Sequence, residues 1–318
     1  MDEGSIRAID MKDNLSIHIL SKIPTGINPS GIAIGMSKDN KTKMIYTANT
    51  DSNSISVING TTNMGKKVIL VEPKPIDIDI NNNTRKLYVS HSLSNTLSVI
   101  DTNTEKVEYT INSSSKNPKG LLVDNKQNLI FVTDTDTNSI SVINGTTEEV
   151  IGNTKVGNSP TGIAVDSSNN LVYVTNTGSN STSVINGTTE EVIGNISLIK
   201  YPHQGGGPTD IVLDLDRQRG YIIAPFTNNM FIIDLKEIKQ SGNTDNFNTN
   251  RETYIIKAIP NLDNPQNIAL NSENGKIYVT SSNNNVVNII QPEIKINDII
   301  KLINSKYWNV KIEIAEKL

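Results

Sequence analysis

Apolar residues in this chain come in short alternating runs, separated by clusters of Asn, Asp, Gly and Ser. Runs rich in Val, Ile, Thr and Tyr between turn-forming residues predict β-strands. One set opens at a proline: PSGIAI at 29, PIDIDI at 75, PKGLLV at 118, PTGIAV at 160, PTDIVL at 208 and PQNIAL at 265. The spacings are 46, 43, 42, 48 and 57 residues. Each opening run is followed by a second (KMIYTA, RKLYVS, NLIFVT, NLVYVT, RGYIIA, GKIYVT) and a third (SISVI, TLSVI, SISVI, STSVI, NMFII, VVNII). Most units add a fourth, such as KVEYTI at 106–111 or YIIKAI at 254–259. One stretch, SVINGTTEEVIGN, stands at 141–153 and again, unchanged, at 183–195. No helical spacing of apolar residues appears before the C-terminal tail, which argues against a helical solenoid of similar period.

Four strands in roughly 42–45 residues is the period of a β-propeller blade. The expectation is therefore a single all-β domain over 1–318, a propeller of four-stranded antiparallel blades. Six units carry the pattern. The N-terminus adds SIRAID (5–10) and LSIHIL (15–20), which resemble third and fourth strands. Unpaired sheet edges are liabilities, and propellers commonly close their ring with both chain ends. This predicts a seventh blade built from the N-terminal strands (about 5–20) and the C-terminal segment (about 292–318), with six blades as the alternative. In that segment Ile296, Ile299, Ile300 and Ile303 fall at helical spacing and predict a short helix, while NVKIEIA at 309–315 alternates as a strand.

The resemblance that these residues carry is specific. Tyr173-Val174-Thr175-Asn176 spells YVTN, and the unit around it resembles the repeat of the YVTN family of β-propellers, known from archaeal and bacterial surface-layer-like proteins. The likeness runs over about residues 24–291; it is strong in the units at 118 and 160 and looser at 208 and 265, where YVTN becomes YIIA and YVTS. It implies a seven-bladed ring, a motif that belongs to the fold rather than to a reaction, and a cell-surface setting.

Composition narrows the function classes. The net charge is −4 with no basic block, so no nucleic-acid surface is predicted. No apolar stretch is long enough for a membrane-spanning helix. The absence of cysteine excludes disulfides, thiolate nucleophiles, iron–sulfur clusters and Cys-type zinc sites. The N-terminal MDEGSIRAID has neither a basic nor an apolar leader region, so the expected location is extracellular or cell-surface if a leader has been removed, and otherwise cytoplasmic.

Candidate chemistry falls on loops. The residue after each YVT-like run is Asn49, His91, Asp134, Asn176, Ala224 or Ser281. The third residue of each opening run is Gly31, Asp77, Gly120, Gly162, Asp210 or Asn267. In a propeller these positions are expected at one mouth of the central channel, where function usually resides on loops held by rigid strands. Asp77, His91, Asp134 and Asp210 are the ionisable exceptions, and His203 in the Gly-rich KYPHQGGGP loop joins them as a candidate ligand-binding site at the channel mouth. Mixed carboxylate and imidazole groups around a channel suit a divalent cation. The competing reading is that Asp and Asn here only terminate strands through Asx turns. DTDTN at 134–138 lacks the glycine and the distal Glu of a calcium loop.

Neither a G-x-S-x-G elbow, an H-E-x-x-H pair nor a phosphate loop is present. The leading expectation is a non-enzymatic binding scaffold with protein or surface-glycan partners and no cofactor. The alternatives are a metal-dependent, lactonase-like hydrolase or lyase at the channel mouth, and a propeller that has lost its ligand. Asn-Gly at 144–145 and 186–187 predicts type I′ hairpins with both glycines at positive φ. Asn-x-Ser/Thr sequons occur at Asn14, Asn40, Asn59, Asn82, Asn112, Asn144, Asn180, Asn186 and Asn195. The polar stretch at 241–253 reads as a surface loop.

Overall fold

The structure, a computed structural model, describes residues 4–10, 18–112, 116–198, 206–242, 254–283 and 286–291. β1 (Ser5–Asp10) and β2 (His18–Pro24) form a two-stranded antiparallel ribbon. Blade 1 follows: β3 (Pro29–Met36), β4 (Lys43–Asn49), β5 (Ser54–Asn59) and β6 (Met64–Leu70). Blade 2 is β7 (Pro75–Asn81), β8 (Lys86–His91), β9 (Thr96–Asp101) and β10 (Lys106–Asn112). Blade 3 is β11 (Pro118–Asp124), β12 (Leu129–Asp134), β13 (Ser139–Asn144) and β14 (Val150–Lys155). Blade 4 is β15 (Pro160–Asp166), β16 (Leu171–Asn176), β17 (Ser181–Asn186) and β18 (Glu191–Ser197). Blade 5 is β19 (Asp210–Asp214), β20 (Arg219–Ala224), β21 (Asn229–Asp234) and β22 (Ile255–Ile259). Blade 6 has three described strands, β23 (Pro265–Asn271), β24 (Lys276–Ser281) and β25 (Val286–Ile290).

Every blade is an antiparallel meander, and the first strands β3, β7, β11, β15, β19 and β23 each touch the next. The apolar cores lie between successive blades. Ile55, Val57 and Tyr46 of blade 1, for example, pack on Ile78, Ile80 and Leu87 of blade 2. In blade 1 the residues matching Ile78 and Ile80 are Ile32 and Ile34, which are 57% and 55% exposed where their counterparts are 3%.

Among the described residues the architecture is a six-bladed propeller, not the seven-bladed ring expected. β1 and β2 hydrogen-bond only to each other, so among the described residues they stand as a ribbon beside blade 1 and do not grow into a four-stranded sheet. The tail strand, the tail helix and nearly all of the polar stretch at 241–253 lie outside the described residues. One helix was not anticipated: α1 (Leu235–Gly242) lies in the connection between β21 and β22, which still pair antiparallel. It begins where Asp234 Oδ1 accepts the amides of Lys236 and Glu237, and it buries Leu235 and Ile238.

The abundance of Asn follows from the turns. Residues at positive φ precede the opening proline of every blade (Asn28, Lys74, Asn117, Ser159, Gly207 and Asn264), and non-glycine residues take the same conformation in the hairpin between second and third strands of blades 1 to 5 (Asn53, Asn95, Asn138, Asn180, Asn228). Asn tolerates this left-handed conformation better than most residues. The two sets are joined. Oδ1 of Asn53, Asn95, Asn138, Asn180 and Asn228 accepts the backbone amide of Lys74, Asn117, Ser159, Gly207 and Asn264, respectively. Each blade thus fixes the chain as it enters the next.

The Asn-Gly turns differ from expectation. Gly145 and Gly187 are not among the residues at positive φ; Glu148 and Glu190, four residues after the turn Asn, take that conformation at 59°. The Glu148 amide donates to Asn144 O, closing a longer loop than a two-residue I′ turn. At 145 glycine is needed for space instead: a Cβ there would lie 2.3 Å from Asn128 Oδ1.

Candidate functional site

The residues expected at one channel mouth divide into two structural groups, and His203 lies outside the described residues. His91 and Asp134 end second strands and are fully buried within their blades. His91 Nε2 is 2.8 Å from Ser98 Oγ, and Ser141 Oγ donates to Asp134 Oδ2 at 2.8 Å. Asn49 and Asn176 occupy the same slot and donate from Nδ2 to Ser56 and Ser183. In blade 6 the roles reverse, with Asn288 donating to Ser281. In blade 5 the pair becomes Ala224 and Phe231, both buried in one core. The partner is always seven residues downstream. That covariation within the repeat was the available sequence signal that the slot holds a strand-to-strand clamp. Burial depresses the His91 imidazole to about 4, with the backbone of Glu72 and Pro73 acting in the opposite sense, so it stays neutral near pH 7.

The rest of the YVTN-like segment is similarly engaged. Tyr173 and Val174 are buried, and Thr175 Oγ1 accepts the Gly162 amide left free by a bulge in β15. Thr177 Oγ1 donates to Pro208 O of the next blade at 2.7 Å.

Asp77 and Asp210 sit on inner strands, where four other blades place Gly31, Gly120, Gly162 and Asn267. The glycines leave room for the adjoining strand: a Cβ on Gly162 would lie 2.6 Å from Asp210 Cα. The aspartates bridge that same gap. Asp77 Oδ1 accepts the Ile78 amide at 2.9 Å, and Oδ2 accepts the Leu121 amide of blade 3, also at 2.9 Å. Asp210 repeats the arrangement with Ile211 at 2.8 Å and Ile268 at 3.3 Å. Asp79, which the sequence reading passed over, does the same with Ile80 and Val123.

These three carboxyls are only partly accessible, and burial raises them all. Asp77 is pushed to about 7 by desolvation, opposed by its two amide bonds and reinforced by Asp210 and Asp79. Asp79 and Asp210 are pushed to about 6, again by desolvation against backbone hydrogen bonds. Carboxyls that titrate near neutrality are the kind that serve acid–base chemistry, but each oxygen here already takes a backbone amide. Among the described residues no three His, Asp or Glu side chains converge as a metal-binding group.

A cleft of about 630 Å³ lies between the N-terminal ribbon and blade 1, lined by Thr25, Gly26, Ser52, Ser56, Lys66 and Val68 among others. No repeat position marks it, because it depends on where the ribbon lies against β5 and β6. No described helix is long and apolar enough to cross a membrane.

No family profile matches the chain, and no curated protein sequence does. Solved structures do. The chain is similar to Kuenenia stuttgartiensis hydrazine synthase, with a TM-score of 0.75 and 17% identity over 87% of each chain. It is similar to a chain of a mitotic checkpoint complex, with a TM-score of 0.69 and 12% identity over 91% of this chain and 85% of that one. It is also similar to a putative 6-phosphogluconolactonase from Bacteroides uniformis, with a TM-score of 0.70 and 14% identity over 87% and 84%. At these identities the likeness is one of fold, which propellers share across unrelated activities.

Proposed function

We propose that this chain is a non-enzymatic binding scaffold of the YVTN-repeat type, acting outside the cell or at its surface on protein or glycan partners. The observation that carries the reading is the engagement of the ionisable repeat residues. His91 and Asp134 clamp strands within blades, and Asp77, Asp79 and Asp210 hold neighbouring blades together. Residues that vary from blade to blade thereby have a structural use, and a rigid ring with variable loops suits recognition.

Two measurements on the full chain test this. Saturable binding to cell-envelope polysaccharide or protein fractions is expected, with no hydrolysis of sugar lactones in the presence of Mg²⁺, Mn²⁺, Ca²⁺ or Zn²⁺. Lactone turnover that falls in Asp77→Asn or Asp210→Asn overturns the reading in favour of a metal-dependent, lactonase-like enzyme.

A further inference from the structure

Three sequons occupy one repeat position. Asn59-Gly60-Thr61, Asn144-Gly145-Thr146 and Asn186-Gly187-Thr188 each open the hairpin between third and fourth strands. In each, the Asn Oδ1 accepts the amides two and three residues on, at 2.8–3.2 Å. The turn makes no use of Nδ2. The threonines at the third sequon position are exposed.

The turn itself does not require Asn. Asp101 and Asp234 stand at the same position and accept the equivalent amides through Oδ1. Where Asp stands, the residue two positions on is Asn103 or Lys236, with no hydroxyl. Where Asn stands, it is always Thr. The acceptor amide and the sequon hydroxyl therefore appear together or are both absent, a pattern that turn chemistry alone does not impose. In an antiparallel meander these hairpins share one end of every blade, so the three sites lie on one face of the ring. Other sequons are differently placed: Asn195 is within β18, where Oδ1 accepts from Ser183, and Asn180 holds the Gly207 amide on the opposite face.

We propose that Asn59, Asn144 and Asn186 are acceptor sites for N-linked glycans, which would cover one face of the propeller and leave the other for binding. The inference rests on the extracellular reading above. The donor is an oligosaccharide carried on a lipid pyrophosphate, brought by a membrane-bound transferase. Asn Nδ2 bonds to the anomeric carbon, the bond from that carbon to the pyrophosphate oxygen breaks, the lipid pyrophosphate leaves, and one amide proton passes to a base of the transferase.

The test is glycopeptide mass spectrometry on the full chain from its native cells, together with surface biotinylation. Asn59→Asp, Asn144→Asp and Asn186→Asp are made singly; Asp keeps the turn, as Asp101 and Asp234 do. The expected result is a surface-labelled protein in which each variant loses one glycan mass and keeps its melting temperature. A surface-labelled protein with all three Asn bare overturns the glycan sites alone. A chain confined to the cytosol overturns the extracellular reading with them.

Discussion

Asp77, on the inner strand of blade 2, accepts the backbone amide of Leu121, on the inner strand of blade 3, at 2.9 Å. The bond crosses a blade boundary where blades 1, 3 and 4 have glycine (Gly31, Gly120, Gly162) and blade 5 repeats the bridge with Asp210. Removing the carboxylate strands the Leu121 and Ile78 amides together. Asp77→Ala is expected to lower unfolding free energy by about 1–3 kcal/mol, the usual result of leaving a buried donor unsatisfied. Asp77→Asn keeps an acceptor oxygen and is expected to lose less. Urea denaturation of the two variants decides; equal and negligible losses would show that the inter-blade bond is not structural.

Stability should also depend on pH in a way set by these groups. Asp77 titrates near 7 in the folded chain, and Asp79 and Asp210 near 6, against an ordinary 3.8. Between those values the folded protein holds more protons than the unfolded one. The contribution is full below about pH 4 and is lost as pH rises toward 7. His91 opposes this: its pKa falls from 6.5 to about 4, so its contribution is present above 6.5 and is lost as pH falls to 4. Denaturation curves from pH 4 to 8 should fall less steeply for Asp77→Asn than for the native chain. They should fall more steeply for His91→Asn, the residue that Asn49 and Asn176 place in the same slot. Three parallel curves would remove the assigned titrations.

Strand order and blade boundaries were legible because proline, YVT-like and SVI-like runs recur with period-two alternation. What the repeat could not display was the partner across space. Asp77 and Asp210 look like channel ligands until the amides of Leu121 and Ile268, 44 and 58 residues away, are seen to reach them. His91 and Asp134 look like a variable mouth until paired with Ser98 and Ser141. α1 was hidden because only Leu235 and Ile238 carry its buried face, too few for periodicity to register.

The two identical turns are not in identical surroundings, which gives a matched comparison. A Cβ on Gly145 would meet Asn128 Oδ1 at 2.3 Å and Asn128 O at 2.8 Å, while one on Gly187 comes no nearer than 3.3 Å, to Asn170 O. Gly145→Ala is expected to cost about 1–3 kcal/mol through overpacking. Gly187→Ala should stay within about 1 kcal/mol of the native chain, because reduced freedom of the unfolded state offsets a small adjustment. Thermal unfolding of both variants checks this. Equal losses would mean that the two copies of the segment pack alike.

Asn138 separates the two demands made on the second hairpin. It sits at φ 53°, and its Oδ1 accepts the Ser159 amide at 2.8 Å, fixing the left-handed residue ahead of Pro160. Asn138→Gly accepts the backbone conformation but loses the side-chain bond; Asn138→Ala loses both. The lost hydrogen bond is worth about 0.5–1.5 kcal/mol, and holding Ala in the left-handed region adds about 1–2 kcal/mol. The expected order of stability is native, then Gly, then Ala, with both steps resolvable by denaturant titration. If Gly matches the native chain, the bond to Ser159 contributes nothing and the Asn is there only for its φ. If Gly and Ala fall together, the bond carries the whole effect, and the same should hold for the equivalent clamps at Asn53, Asn95, Asn180 and Asn228.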